Sequence, residues 1–173
     1  VVAGYQVDSV IPQAFAYGAE KVYVIDHPLL QDYRTEPYME ALTSLAEKYR
    51  PEIILMGATS MGRDVFPAVA TKLQTGLTAD CTVLGIDPES KILQQTRPAF
   101  GGNIMAAILC RSKRPQMATV RPRVMKMPDR SDGREGEVIR EEFNFSEKDF
   151  HTKVLEFIPS DARNAFLDKA EII

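Results

Sequence analysis

Apolar positions in the first half of the chain switch repeatedly between two periods. Over residues 8–17, Val10, Ile11, Ala14 and Phe15 recur at helical spacing and Gly18 supplies a stop. Residues 21–26, Lys-Val-Tyr-Val-Ile-Asp, then read as a short buried strand. A second helix is predicted over residues 36–49, with Met39, Leu42, Leu45 and Ala46 on one face and Pro51 beyond its end. Ile53, Ile54, Leu55, Met56 and Gly57 form the next strand, and residues 63–73 a third helix carrying Val65, Val69 and Leu73. Strands alternating with helices across short connections predict a parallel sheet covered by helices, joined by right-handed crossovers.

After Gly76 the pattern changes. Apolar, β-prone runs at residues 81–86, 92–96, 104–109 and 117–120 follow one another without room for long helices. Asp87-Pro88-Glu89-Ser90 marks a tight turn, so an antiparallel hairpin is expected there. The predicted fold class is therefore α/β, with a mixed, mainly parallel sheet flanked by helices and antiparallel strands at one side. Residues 128–136 are charged and turn-rich and read as an exposed loop. Residues 137–140 and 153–158 read as late strands or extended arms.

Two segments carry the most chemistry: Thr96-Arg97-Pro98-Ala99-Phe100-Gly101-Gly102-Asn103, and Pro115-Gln116-Met117-Ala118-Thr119-Val120-Arg121-Pro122. Each closes a β-prone run with an Arg-Pro step. The proline is expected to stop ladder pairing and hold the arginine extended, presenting a planar cation with five donors. Gly101-Gly102 removes side chains where the chain turns tightly or another group approaches its backbone. Arg97 and Arg121 so held suit an anionic or electron-rich group; the plainer alternative is two turns with solvated arginines.

Together with Gly57-Ala58-Thr59-Ser60-Met61-Gly62-Arg63-Asp64 and Thr75-Gly76-Leu77-Thr78-Ala79-Asp80-Cys81, these segments resemble the N-terminal domain of an electron-transfer flavoprotein α subunit, in the family's order and at its approximate spacing. The resemblance covers nearly the whole chain. It implies a sandwich like that of the adenine-nucleotide α-hydrolases, a β-subunit partner, and electron transfer from an acyl-CoA or other dehydrogenase. It places the main FAD in a separate C-terminal domain, and AMP or, in the electron-bifurcating branch, a second FAD in the β subunit. Arg121 is then expected to point at that partner-held FAD or AMP, with Arg97, Gly101, Gly102 and Asn103 shaping the wall. A fixed guanidinium beside a flavin would favour its reduced, anionic forms. The competing role for Arg121 is an ion pair with a β-subunit carboxylate. Phe100, Met105 and Met117 are candidates for the subunit interface, with core burial as the alternative fate.

The same resemblance sets the expected domain limits. Residues 1–160 are read as the N-terminal domain, lacking the family's opening strand–helix unit, since Val1-Val2-Ala3-Gly4 resembles the end of a buried strand. Residues 161–173 are read as a linker and the first strand of an absent FAD domain.

Other chemistry is weaker. The loop from Gly57 to Gly62 leads into a helix N-terminus and offers N–H groups to an anion, which supports a rival reading as a stand-alone, stress-protein-like nucleotide-binding domain. The alternative is that Thr59 or Ser60 caps the helix while Asp64 complements its dipole. The loop lacks the P-loop lysine and the dinucleotide glycine spacing. Ser60 has no base beside it in sequence, and nothing brings Asp64 and Asp80 together as an acid–base pair, so no catalytic residues are assigned. His27-Pro28 reads as a turn. Cys81 and Cys110 read as buried free thiols, and with two histidines in the chain no metal site is predicted.

Composition narrows the classes further. The formal net charge is -3, which argues against a nucleic-acid partner, and no apolar run approaches the roughly 20 residues of a membrane span. A soluble reducing compartment is expected: the cytoplasm, or the mitochondrial matrix in a eukaryote.

Overall fold

The computed structural model describes residues 1–156 and 158; the expected linker and strand at 161–173 lie outside the described residues. In chain order the elements are β1 Val2–Gly4, α1 Ile11–Ala16, β2 Lys21–Asp26, α2 Thr35–Tyr49, β3 Ile53–Gly57, α3 Ser60–Lys72, β4 Leu77–Cys81, β5 Val83–Ile86, β6 Leu93–Ala99, β7 Ile104–Leu109, β8 Gln116–Val120 and β9 Glu137–Arg140. The α/β class, with parallel strands flanked by helices and an antiparallel set, is as the pattern predicts.

Hydrogen bonding divides the strands into three groups of three: β1-β2-β9 and β3-β8-β4, both parallel, and an antiparallel β5-β6-β7. Helices cover both faces of the parallel part. Helix α2 packs Ala41 and Leu45 on Ile25, Leu30 and Phe143. Helix α3 sets Val65, Phe66, Val69 and Ala70 against Met117, with Met39 and Leu42 of α2 on the same cluster. Helix α1 lies on the other face, where Ile11 and Phe15 meet Val22 and Val24. The alternation of Val22, Val24 against Tyr23, Ile25 is the period-two signature of a strand covered on both sides.

Two expectations about the second half need correction. The run at residues 81–86 is two strands broken at Thr82: Leu77–Cys81 pairs parallel with β8, and Val83–Ile86 pairs antiparallel with β6. Strand β8, which follows the hairpin in sequence, returns to the middle of the parallel group between β3 and β4. That position buries Met117 completely, so it belongs to the core and not to a surface. Buried polar side chains add to the ladder: Gln116 Oε1 of β8 accepts from the Leu93 N–H of β6 at 2.8 Å and so joins two groups, while within the parallel group Thr119 Oγ1 accepts from the Asp80 N–H at 2.8 Å.

Pro98 does not end its strand. β6 runs on to Ala99, with Arg97 opposite Ala106 and Pro98 opposite Met105. The Thr96 carbonyl accepts from Thr82 on the β5 side, so the Pro98 nitrogen two residues on faces that same side, past the residue opposite which β5 starts. A proline is tolerated where no ladder bond is asked of it.

Of the two late segments, 137–140 is a strand pairing parallel with β2, while 153–156 has no regular structure. Cys81 is buried and Cys110 only partly so; both are free. No described helix is long and apolar enough to cross a membrane.

Candidate functional site

The C-terminal ends of β3, β8 and β4 bring the singled-out segments together. Arg121 follows directly on β8, held by its N–H to the Cys81 carbonyl at 2.9 Å. Asp80, one residue before the end of β4, adopts a left-handed backbone with φ 61° at a break in the β4–β8 register. That turn aims its carboxylate at Arg121: Nε donates to Oδ1 at 3.1 Å and Nη2 to Oδ2 at 2.6 Å. Arg63, in the first turn of α3, reaches the same carboxylate with Nη2 at 3.3 Å and donates Nε to the Ala58 carbonyl at 3.1 Å. The hydrogen bond from Arg121 holds the Asp80 carboxyl below the usual carboxylate range, helped by the charges of Arg121, Arg63 and Arg97.

Arg97 approaches from β6. The only hydrogen bond of its guanidinium among the described residues is a long one, 3.4 Å, from Nε to the Pro98 carbonyl. Two guanidinium groups, those of Arg121 and Arg63, touch the Asp80 carboxylate, and Arg97 acts on it through its charge alone. Arg97 and Arg121 open onto a cavity of about 400 Å³, walled otherwise by Pro98, Ala99, Phe100, Gly101 and Gly102. Gly101 and Gly102 have φ of 67° and 91°, conformations that glycine adopts without strain, and open space lies where a Cβ would stand. Phe100, 81% exposed, stands at the rim. Asn103 closes the turn through its N–H to the Phe100 carbonyl at 3.4 Å but does not line the cavity. The cavity's size and cations fit an anionic, cofactor-sized group.

The loop before α3 is largely engaged by its own chain. Thr59 caps the helix, its Oγ1 accepting from the Gly62 N–H at 3.1 Å. A Cβ at Gly62 would stand 2.0 Å from the Gly57 carbonyl oxygen, so the strand-to-helix turn closes too tightly for any side chain there. Asp64 lies past the first turn of α3 and is engaged elsewhere: it accepts from Tyr33 at 2.6 Å and from Thr35 at 2.5 Å, tying the starts of α2 and α3. Burial and that bond to Asp64 push the Tyr33 phenol up to about 12. Asp64 and Asp80 have separate partners and form no acid–base pair.

Sequence reasoning brought Arg97, Arg121 and the Gly101-Gly102 turn to one place, which the structure does as well. It missed Asp80 and Arg63 as the residues that orient Arg121. An aspartate at the end of a strand pairing with the strand before Arg121 was the available signal, but β4 itself was not foreseen.

The fold is thus an α/β domain that carries a cationic, glycine-walled cavity at the C-terminal ends of its parallel strands. The profile of the electron transfer flavoprotein domain matches residues 1–146, and the chain belongs to that family. It is 51% identical over 174 residues to the electron transfer flavoprotein subunit alpha of Thermoanaerobacterium thermosaccharolyticum, covering 100% of this chain and 52% of the relative. Protein FixB of Azotobacter vinelandii is 51% identical over 149 residues, 86% of this chain and 41% of the relative. The acryloyl-CoA reductase electron transfer subunit beta of Anaerotignum propionicum is 38% identical over 197 residues, 100% of this chain and 54% of the relative. The chain thus spans about half the length of the curated relatives it matches.

Proposed function

We propose that this chain is the N-terminal part of the α subunit of a heterodimeric electron-transfer flavoprotein, passing electrons between dehydrogenases and an acceptor. The observation that carries the reading is Arg121, oriented by Asp80 beside Arg97 and opening onto a cavity of about 400 Å³ in a member of this family. Arg121 and Arg97 would face a cofactor held by the β subunit, an FAD or an AMP, with the Gly101-Gly102 turn as its wall. A flavin supplies the electron transfer; the principal FAD belongs to a further domain of the parent polypeptide. The part played by this chain is electrostatic: guanidinium charge, fixed in place by Asp80, favours a negatively charged ligand.

The antiparallel sheet supplies the docking surface in this reading. Val83 and Ile86 of β5 and Ile104, Met105 and Ile108 of β7 are exposed apolar side chains, as is Phe100 at the turn between β6 and β7. A cytoplasmic location follows from the reading.

The test is co-purification of the full-length parent with its β subunit, followed by flavin and AMP quantification per heterodimer. Two FAD and no AMP indicate a bifurcating complex; one FAD with one AMP indicates a simple shuttle. No heterodimer and no flavin would overturn the reading in favour of a stand-alone nucleotide binder. Arg121→Lys is expected to alter cofactor content, flavin potential or heterodimer affinity; no change in any of the three removes Arg121 from the site.

A further inference from the structure

After β9 the chain crosses back to the start of α2 and is held there by side chains. Phe143 is buried with Ile25, Leu30, Ala41 and Leu45, and Phe145 and Phe150 pack, partly buried, against the same cluster. Residues 146–152, which include Phe150, close on themselves. The Ser146 N–H donates to Asp149 Oδ2 at 2.7 Å, and the Asp149 N–H returns to the Ser146 carbonyl at 3.0 Å. The Phe150 N–H donates to the Glu147 carbonyl at 3.4 Å. Among the described residues, no main-chain hydrogen bond joins 146–152 to any other part of the molecule. The neighbouring β9, by contrast, is laddered to β2 over all four of its residues.

What holds this strap is a pair of oppositely charged side chains at one end of α2. Arg34, immediately before the helix, meets Glu147 in a two-point contact, Nη1 to Oε1 at 2.7 Å and Nη2 to Oε2 at 3.0 Å. Nη1 also donates to the Thr152 carbonyl at 2.6 Å, and the guanidinium lies 5.6 Å from the centre of the Phe150 ring. Arg34 therefore grips the strap near its start, in its middle and at its close, with a side chain only 9% exposed. Glu36, in the first turn of α2, accepts from the His151 and Thr152 amides and the Thr152 hydroxyl. Removing one partner of a largely buried ion pair leaves the other uncompensated, and lysine cannot reproduce the planar fork of arginine.

Segments held by few apolar contacts and by side-chain bonds open locally, below the free energy of global unfolding. Beyond the strap, residues 153–156 are exposed and have no regular structure. With the strap closed, the chain that continues past Thr152 is rooted at Arg34 and Glu36. With it open, the root moves back to Phe143 and Phe145. The seven residues 146–152 then add up to roughly 23 Å of free chain when extended.

We propose that residues 146–152 are a latched strap: Arg34 and Glu36 hold it closed, it opens as one unit ahead of the rest of the domain, and its state sets how much chain is free beyond the core. The inference does not depend on the proposed cofactor.

Hydrogen exchange on the full-length parent tests the latch. The Asp149, His151 and Thr152 amides are expected to share one opening equilibrium and to exchange faster than Leu45 and Ala46 inside α2. Arg34→Gln should speed all three together by at least about ten-fold and leave Leu45 and Ala46 unchanged. Glu147→Gln should act in the same direction but less, since Arg34 still holds Thr152, and it serves alone if Arg34→Gln does not fold. Arg34→Lys should not restore the wild-type rates. Spin labels at positions 50 and 153, with Cys110→Ser, should give a distance distribution that spreads to longer values in Arg34→Gln, by up to roughly 23 Å. Unrelated rates at the three amides, exchange unaltered by the substitutions, an equal rise at Leu45 and Ala46, or an unchanged label distance would each overturn the proposal.

Discussion

Arg121 and Asp80 meet across the β8–β4 pair in a two-point contact, Nε to Oδ1 at 3.1 Å and Nη2 to Oδ2 at 2.6 Å. The fork of a guanidinium matches a carboxylate's two oxygens, so the pair fixes direction as well as place. Arg121 so held also lines the cavity it shares with Arg97.

Replacing the carboxylate should loosen that aim without unfolding the domain. Asp80→Asn keeps a side chain that tolerates the left-handed backbone and removes the charge. Bound cofactor in the heterodimer is expected to fall, with a drop in Tm of a few degrees. The pH dependence has a definite sign. The folded carboxyl is depressed, so its stabilisation is present above the unfolded value and is lost as pH falls through the folded one. Thermal melts from pH 7 down to 3 should show the wild type losing more stability than Asp80→Asn.

Gly62 and Gly101 should respond to alanine for different reasons. At Gly62 the new Cβ would collide with the Gly57 carbonyl at 2.0 Å, and overpacking of this kind costs about 1–3 kcal/mol or more. At Gly101 nothing lies within reach, and the cost is the left-handed backbone alone, about 1–2 kcal/mol. Urea denaturation of both variants separates them.

Two phenylalanines should divide stability from association. Phe66 is fully buried, and Phe66→Ala is expected to cost about 3–5 kcal/mol in denaturant unfolding. Phe100 is 81% exposed, so Phe100→Ala should leave stability within about 0.5 kcal/mol while weakening β-subunit affinity in calorimetric titration.

Glu36 anchors the segment that follows β9. Its carboxylate accepts from the His151 and Thr152 amides at 2.9 and 3.1 Å and from the Thr152 hydroxyl at 3.0 Å. Burial pushes its pKa up, but the bonds from His151 and Thr152 together outweigh that and hold it below the usual range. The hold is therefore full above the unfolded value and released as pH falls through the lowered folded one. Amide exchange at residues 151 and 152 should rise on acidification relative to the rest of the chain, and Glu36→Gln should raise it already at neutral pH.

Periodicity alone determined much of this protein. The α2 and β2 patterns, the glycine-permitted turn at Gly101-Gly102 and the family-bearing motifs are local or nearly so, and they read directly from residue order. The tertiary structure decided what depends on long-range pairing. It sent β8 back between β3 and β4, which buried Met117, and it placed Pro98 inside β6 because the neighbouring strand no longer claimed that edge. Asp80 reaches Arg121 at a separation of 41 positions in sequence. No local propensity encodes such a contact; it exists only once two strands distant along the chain have been brought into register.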